Sequence, residues 1–132
     1  MTTQELLKDR IKARITTVLT GESVTIVDGT QTAEISLPTI AVEVSSSEAH
    51  SVAMAKVQRV GMEITLRRHA GDTSSATWTD KLETALNNPT NIKALSTASI
   101  QIDHWLYGGN EQTFDESTVE TKYTGEALAY LL

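Results

Sequence analysis

A short stretch near the middle of the chain gathers the side chains most capable of chemistry. Residues 59–78 read RVGMEITLRRHAGDTSSATW, in which Arg67, Arg68, His69 and Asp72 follow one another closely. Arginines bind phosphate groups, and a histidine near an aspartate is typical of acid–base catalysis. The alternative is structural: the arginines end a strand on opposite faces, and a serine or threonine of residues 74–77 caps the next helix. The structural interpretation is favoured.

A second candidate is the segment IDHWLYGG, residues 102–109. Asp103 and His104 are adjacent, so on a strand they point to opposite faces and cannot act together. His104 is in phase with the isoleucines two and four residues before it, which predicts a core position. Trp105 falls on the other face with Tyr107. There the two rings either form a subunit contact or simply lie on the second face of the sheet.

Motifs for other chemistry are missing from the sequence. The chain has no cysteine, which removes thiolate catalysis and zinc–thiolate sites. Its three histidines, at positions 50, 69 and 104, lack the short spacings of a metal site. There is no glycine-rich phosphate loop and no serine elbow. We therefore expect no catalytic residue, no cofactor, no metal and no enzymatic activity.

Size and charge narrow the class of protein. The 132 residues predict one domain, and 39% hydrophobic residues suit a soluble globular chain. The net charge of −6 disfavours general binding to phosphate backbones. The charged N-terminus does not resemble a signal peptide, and no apolar run reaches the roughly 20 residues that a membrane span needs. These features predict synthesis in the cytoplasm and no membrane partner.

Two segments have the periodicity of amphipathic helices. The first runs from Thr3 to Leu19, with a capping box at Thr2 and Glu5 and with Gly21 at its end. The second is SSATWTDKLETALNN, whose apolar stripe includes Trp78, Leu82, Ala85 and Leu86.

The rest of the chain is predicted to be mostly strand. SVTIVDG and TAEISL form a hairpin at Asp28-Gly29, and TIAVEVS is a half-buried strand. Lys56–Arg68 is predicted as the longest strand, and ASIQIDHWLYGG and STVETKYTGEALAYLL are the last two. Polar residues at 45–56 and 108–117 are interpreted as long hairpin loops. The order of elements predicts an α+β fold with a largely antiparallel sheet in a single layer, covered by two amphipathic helices.

Taken together, these elements resemble the tail-terminator and tail-completion (neck) proteins of long-tailed bacteriophages. The resemblance lies in the opening helix ending ARITTVL, the strand LPTIAVEVSS, the long strand VQRVGMEITLRRHA, the helix TWTDKLETAL, and the closing strands ASIQIDHWLYGG and STVETKYTGEALAYLL. It covers nearly the whole chain as a single tail-terminator-like domain. It is a pattern of elements rather than a fixed motif, and the chain stops directly after its last strand, whereas some relatives continue.

The resemblance implies a structural virion protein that assembles as a homo-oligomeric ring, commonly a hexamer. Such a ring sits at the head-proximal end of the tail tube, ends its polymerisation, and joins the tail to the head connector. DNA passes through the lumen without specific binding, and carboxylates such as Glu43, Glu48 and Glu63 would repel it there. The residues expected at inter-subunit or ring–ring contacts are Ser47, Glu48, His50, Arg67, Arg68, Trp105 and Tyr107.

Three alternatives stay open. One is a head-completion or stopper protein of the neck, which would also form a ring. Another, of a different class, is a small curved-sheet enzyme of the cyclase or isomerase kind, which would recruit Asp103, His104 and Tyr107. The third is an interaction module whose edge strand binds a peptide.

Overall fold

The first helix is fixed at both ends by local interactions. The computed structural model describes residues 2–22, 25–28, 38–49 and 57–132, and its first helix, α1, spans Thr3–Val18. Glu5 N donates to Thr2 Oγ1 at 3.2 Å, and Thr2 N donates to the Glu5 carboxylate at 3.0 Å. Gly21 has a φ of 88°, a conformation that glycine adopts without strain. The predicted capping box and glycine end are therefore confirmed.

The remaining elements follow in a simple order: β1 (Thr25–Asp28), β2 (Thr39–Ala49), β3 (Gln58–His69), α2 (Thr73–Ala76), α3 (Trp78–Leu86), α4 (Pro89–Lys93), β4 (Ile100–Phe114) and β5 (Thr118–Leu131). The five strands form one sheet in the order β1-β2-β3-β5-β4. The β1–β2 pair is parallel and the other pairs are antiparallel. The predicted α+β class with a largely antiparallel sheet is confirmed.

One face of the sheet forms the core with the helices. Alternate residues of β3, namely Val60, Met62, Ile64 and Leu66, are fully buried as their spacing predicts. Helix α1 buries Leu7, Ile11 and Ile15 against them, and α3 buries Trp78, Leu82, Ala85 and Leu86. The predicted helical stripes are confirmed. Every residue buried on this face removes apolar surface from water, which is the main stabilising contribution to the fold.

The boundaries of several elements differ from the sequence-based predictions. The segments 45–49 and 108–114 were expected in loops, but they belong to β2 and β4. As a result β4, with 15 residues, is longer than β3, with 12. The predicted return strand at 32–37, the Asp28-Gly29 turn and the contact residue His50 lie outside the described residues, at least in part.

The second predicted helix is two helices. It breaks at Thr77, between α2 and α3. The cap at the start of α2 is Asp72, whose Oδ1 accepts from Ser75 N at 3.4 Å. Aspartate fills this position for the same reason as serine, because its oxygen accepts from a backbone N–H that has no partner within the helix. Thr77, one of the residues expected to cap, is at the N-cap position of α3, but its side chain makes no capping hydrogen bond, so the expected serine or threonine cap was wrong.

Candidate functional site

The cluster at the end of β3 is a structural joint. Arg67 Nε lies 3.4 Å from a Glu120 carboxylate oxygen on β5. This ion pair is on the face of the sheet that points away from the helices, which we call the open face. His69 is exposed at the strand end, and the next residue, Ala70, donates its N–H to Ser117 O at 2.9 Å. Asp72 is used as the helix cap. These side chains are therefore distributed between ion pairing, solvent and capping, rather than directed to one reacting centre.

Strand β4 contains a bulge that reverses the predicted faces of its aromatic residues. Ile102 is opposite Ala129 and His104 is opposite Leu128, so Asp103 is an extra residue in the ladder. An extra residue moves every later side chain to the other face. His104 is consequently exposed, and the prediction of a core histidine was wrong. Trp105, expected on the outer face at a subunit contact, is instead 2% exposed in the core.

Three aromatic side chains on the sheet use their polar tips to hold α3. Trp105 Nε1 donates to Leu86 O at 2.7 Å, and Tyr123 Oη donates to Thr79 O at 2.9 Å. Between them, Tyr107 Oη donates to the Glu83 carboxylate. The acceptors at 79, 83 and 86 are spaced by four and three residues, so they lie on one face of the helix.

This aromatic row changes how the tyrosines titrate. Burial, followed by the hydrogen bond to Glu83, raises the pKa of Tyr107 from 10.0 to about 12. Burial also raises the pKa of Tyr123. Both hydroxyls are therefore neutral donors at physiological pH. Tyr107 serves to position α3, and no local sequence pattern indicates this role because its acceptor lies 24 residues away.

The outer part of the β4–β5 hairpin is the most exposed part of the sheet. A second bulge lies between Tyr107 and Gly109, and beyond it β4 continues along the sheet edge to Phe114. We call residues 109–117 the rim. All of residues 110–117 are exposed, and Phe114 is 71% exposed. The rim contains three carboxylates, Glu111, Asp115 and Glu116, and no basic residue.

Helices α1, α3 and α4, which we call the helix layer, have a different charge balance from the rim. Four basic residues of α1, namely Lys8, Arg10, Lys12 and Arg14, stand against two acidic ones, Glu5 and Asp9. Helices α3 and α4 add two cations, Lys81 and Lys93, and two carboxylates, Asp80 and Glu83. The helix layer thus has six cations against four carboxylates, with its excess of cations on α1, whereas the rim has carboxylates only.

A groove runs between α1, α3 and α4. It has a volume of about 300 Å³ and is lined by Arg14, Val18, Lys81, Thr84, Ala85 and Asn91. Arg14 Nε is buried here and finds no hydrogen-bond acceptor among the described residues. Lys81 lies 3.6 Å from Glu22 in a partly exposed ion pair. The groove therefore combines apolar side chains, a lysine and an unsatisfied guanidinium donor.

The open face of the sheet holds the acidic residues expected at a lumen. Glu43 and Glu63 are directly opposite each other on β2 and β3, and Glu48 is opposite Arg59 on the same face. Ion pairs join Glu63 to Lys122 at 3.5 Å and Arg59 to Glu48 and Glu126 at 3.7 and 3.4 Å. Strands β2, β3 and β5 place five carboxylates here against three cations, so this face is acidic.

The predicted contact residues are not brought into one patch. Ser47 faces the helix side, where its Oγ accepts from Gln4 Nε2 at 2.6 Å, whereas Glu48 and Arg67 lie on the open face. Arg68 follows Arg67 on the opposite face, at the far end of β2–β3 from Ser47. The sequence-based set contains no residue of the rim, whose polar composition was interpreted as a loop.

Two further features of the described residues concern metal binding and membrane insertion. Within these residues there is no group of three or more histidine, aspartate or glutamate side chains placed to hold a metal ion. No helix in the same part of the chain has both the length and the apolar character of a membrane span. The chain matches no family model and no curated protein.

Proposed function

We propose that this chain is a structural virion protein that assembles into a homo-oligomeric ring, commonly six copies, in the tail or neck of a long-tailed phage. The ring would sit at the head-proximal end of the tail tube, end its polymerisation and join it to the head connector. The protein would be assembled in the host cytoplasm and act without catalysis. The resemblance in the order of elements supports this role, and the charged surfaces support self-assembly.

The observation that carries the proposal is the separation of charge between two unlike surfaces. The rim has three carboxylates and no cation, while α1 has four cations against two carboxylates. Opposite patches attract each other when they belong to different copies, and like patches repel. Charge therefore favours a rim-to-helix contact over a rim-to-rim contact.

Such a contact has a direct consequence for symmetry. A contact between two different surfaces of the same chain is heterologous, so each copy has one used and one unused surface after the first association. Repetition produces either a closed ring or an open filament. A ring that ends a tube requires the closed outcome, and a fixed angle between rim and helix layer would set the number of copies.

The open sheet face suits a channel for DNA. Its five carboxylates and three cations include the directly opposed Glu43 and Glu63. Phosphate backbones are bound mainly through cations that displace counterions, so this face would let DNA slide. Double-stranded DNA should migrate unchanged in a gel with the purified protein at physiological salt, and a retarded band would argue against this orientation.

The assembly is tested by size-exclusion chromatography with light scattering, followed by negative-stain imaging. We expect a closed ring of about six copies with a central hole. The test variant is Glu111→Lys/Asp115→Lys/Glu116→Lys, which reverses the rim's charge at exposed positions and should elute as a monomer. A wild-type protein that remains monomeric at every concentration would refute ring formation.

A further inference from the structure

We infer that Phe114 of one copy inserts into the groove between α1, α3 and α4 of the neighbouring copy. This inference rests on the proposed self-assembly and adds to it the two surfaces that meet. The occupant is a second copy of this chain, because the same sequence provides an exposed aromatic residue flanked by acids and a basic groove with apolar lining.

Phe114 is presented on a turn that is already ordered. Asp115 N donates to Thr118 O at 2.9 Å, and Glu116 N donates to Asp115 Oδ1 at 2.7 Å. Ser117 O accepts from Ala70 N at 2.9 Å, which ties the turn to the end of β3. An aromatic side chain that is 71% exposed on such a turn can be buried without first ordering its backbone. Aromatic residues of this kind are frequent anchors of protein interfaces.

The groove offers what that side chain needs. Val18 and Ala85 contribute apolar lining, and the volume of about 300 Å³ is concave enough to enclose part of a ring. Its six lining residues include two cations and no carboxylate. Insertion of an aromatic ring would remove apolar surface from water on both copies. This burial stabilises the contact by about 25 cal/mol per Å² of apolar area.

The charges then fix the direction of the contact. Asp115 and Glu116 follow Phe114 directly, so they would approach Arg14 and Lys81 at the groove edge. Arg14 lines the groove, and its Nε has no acceptor among the described residues, so a carboxylate from the neighbour would pair with the guanidinium group through its accessible nitrogens. A charge-assisted hydrogen bond of this kind is stronger than a neutral one. Pairing this cation is the second reason to place the rim here.

The test uses two full-length variants, each defective on one side only. Phe114→Ser removes the inserted side chain, and Arg14→Glu reverses the charge in the groove. Each should raise the dissociation constant of the subunit contact by roughly 30-fold or more, as expected for an interface hot spot. Leu132→Ser, at another exposed apolar residue, and Lys93→Glu, at an exposed cation outside the groove lining, are the matched controls and should assemble as wild type does.

Mixing the two defective variants separates the possible outcomes. The intact Phe114 of the Arg14→Glu copy can still enter the intact groove of the Phe114→Ser copy, so an equimolar mixture should yield dimers of one copy each and no ring. Circular dichroism melts should match wild type in both variants. Wild-type rings that persist in both variants would overturn this contact while leaving the proposed function in place. A wild-type chain that forms no ring would overturn both.

Discussion

The indole ring of Trp105 occupies the space above Gly125 on the neighbouring strand. A β-carbon built at Gly125 would lie 2.2 Å from Trp105 Cζ2 and 2.3 Å from Cη2, far inside van der Waals contact. Trp105 is 2% exposed, and its Nε1 donates to Leu86 O at 2.7 Å, so the ring cannot move away without losing both burial and that hydrogen bond. Glycine at 125 is thus what allows β4 and β5 to hold the tryptophan beneath α3.

The substitution Gly125→Ala should therefore be strongly destabilising. We expect a loss of roughly 3 kcal/mol in the free energy of unfolding, because the added methyl group overpacks the core. Chemical denaturation measures this directly. Gly71→Ala is the matched control, since a β-carbon there meets nothing within 4 Å, and it should change stability by less than about 0.5 kcal/mol. Equal effects at the two positions would contradict the packing described here.

Deleting Asp103 should leave the faces of β4 unchanged. Asp103 is the extra residue in the ladder, so without it Ile102, His104 and Trp105 alternate regularly between core, open face and core while keeping their partners on β5. We expect the deletion to lower the free energy of unfolding by no more than about 1 kcal/mol. Asp103→Ala keeps the extra residue at an exposed position and should stay within about 0.5 kcal/mol of wild type. A deletion variant that loses about 4 kcal/mol or more, as exposure of the tryptophan would cost, would contradict this account of the bulge.

The stability of the protein should fall in alkaline solution through Tyr107. Burial and the Glu83 hydrogen bond raise its pKa from 10.0 to about 12, so the folded state holds this proton more tightly than the unfolded chain. The contribution of the protonated Tyr107 to the free energy of unfolding is fully present below pH 10.0 and is lost as the pH rises towards about 12. Denaturation at several pH values in that window should give a shallower decline for Tyr107→Phe than for wild type. Identical slopes would show that the proton on Tyr107 is not linked to folding.

A buried hydroxyl offers a way to stabilise the fold. Thr121 is fully buried, and its Oγ1 finds no partner among the described residues. Thr121→Val replaces the hydroxyl with a methyl group and should raise the free energy of unfolding by about 1 kcal/mol. Thr113→Val, at an exposed position of β4, is the control for the change in residue type and should have little effect. Destabilisation by Thr121→Val would point to a bound water or a hydrogen bond at this hydroxyl.

Where burial alternates regularly, the sequence was sufficient to predict the fold. Residues 60, 62, 64 and 66 of β3 and the stripe of α1 follow ideal periods, and both predictions were confirmed. The predicted faces of the β4 side chains were wrong because one extra residue shifts the alternation between the two faces. No feature of Asp103 itself marks it as a bulge. The prediction of a loop at residues 109–114 was wrong for another reason. They form an edge strand exposed on both faces, so they have no alternation to detect, and Gly108-Gly109 signalled a bulge rather than a loop.

The candidate surfaces were harder to predict than the fold. The rim and the basic helix layer depend on which charged residues the topology places together, and that information is distributed over more than a hundred positions. The motif-like stretch at 67–72 attracted interest because its residues are adjacent, yet the structure assigns them to an ion pair, a strand end and a helix cap. Adjacent residues in a strand do not share a face, so proximity in the sequence did not predict which side chains lie together in the structure.

Native mass spectrometry of the wild-type chain over a range of salt concentrations would be the decisive measurement. Ring assembly through oppositely charged surfaces predicts one dominant closed oligomer of about six copies at low ionic strength. Because salt screens exposed charges, the same sample should shift towards monomers at high ionic strength. A monomer at every ionic strength, or a dimer whose stability is independent of salt, would contradict assembly through the rim and the helix layer.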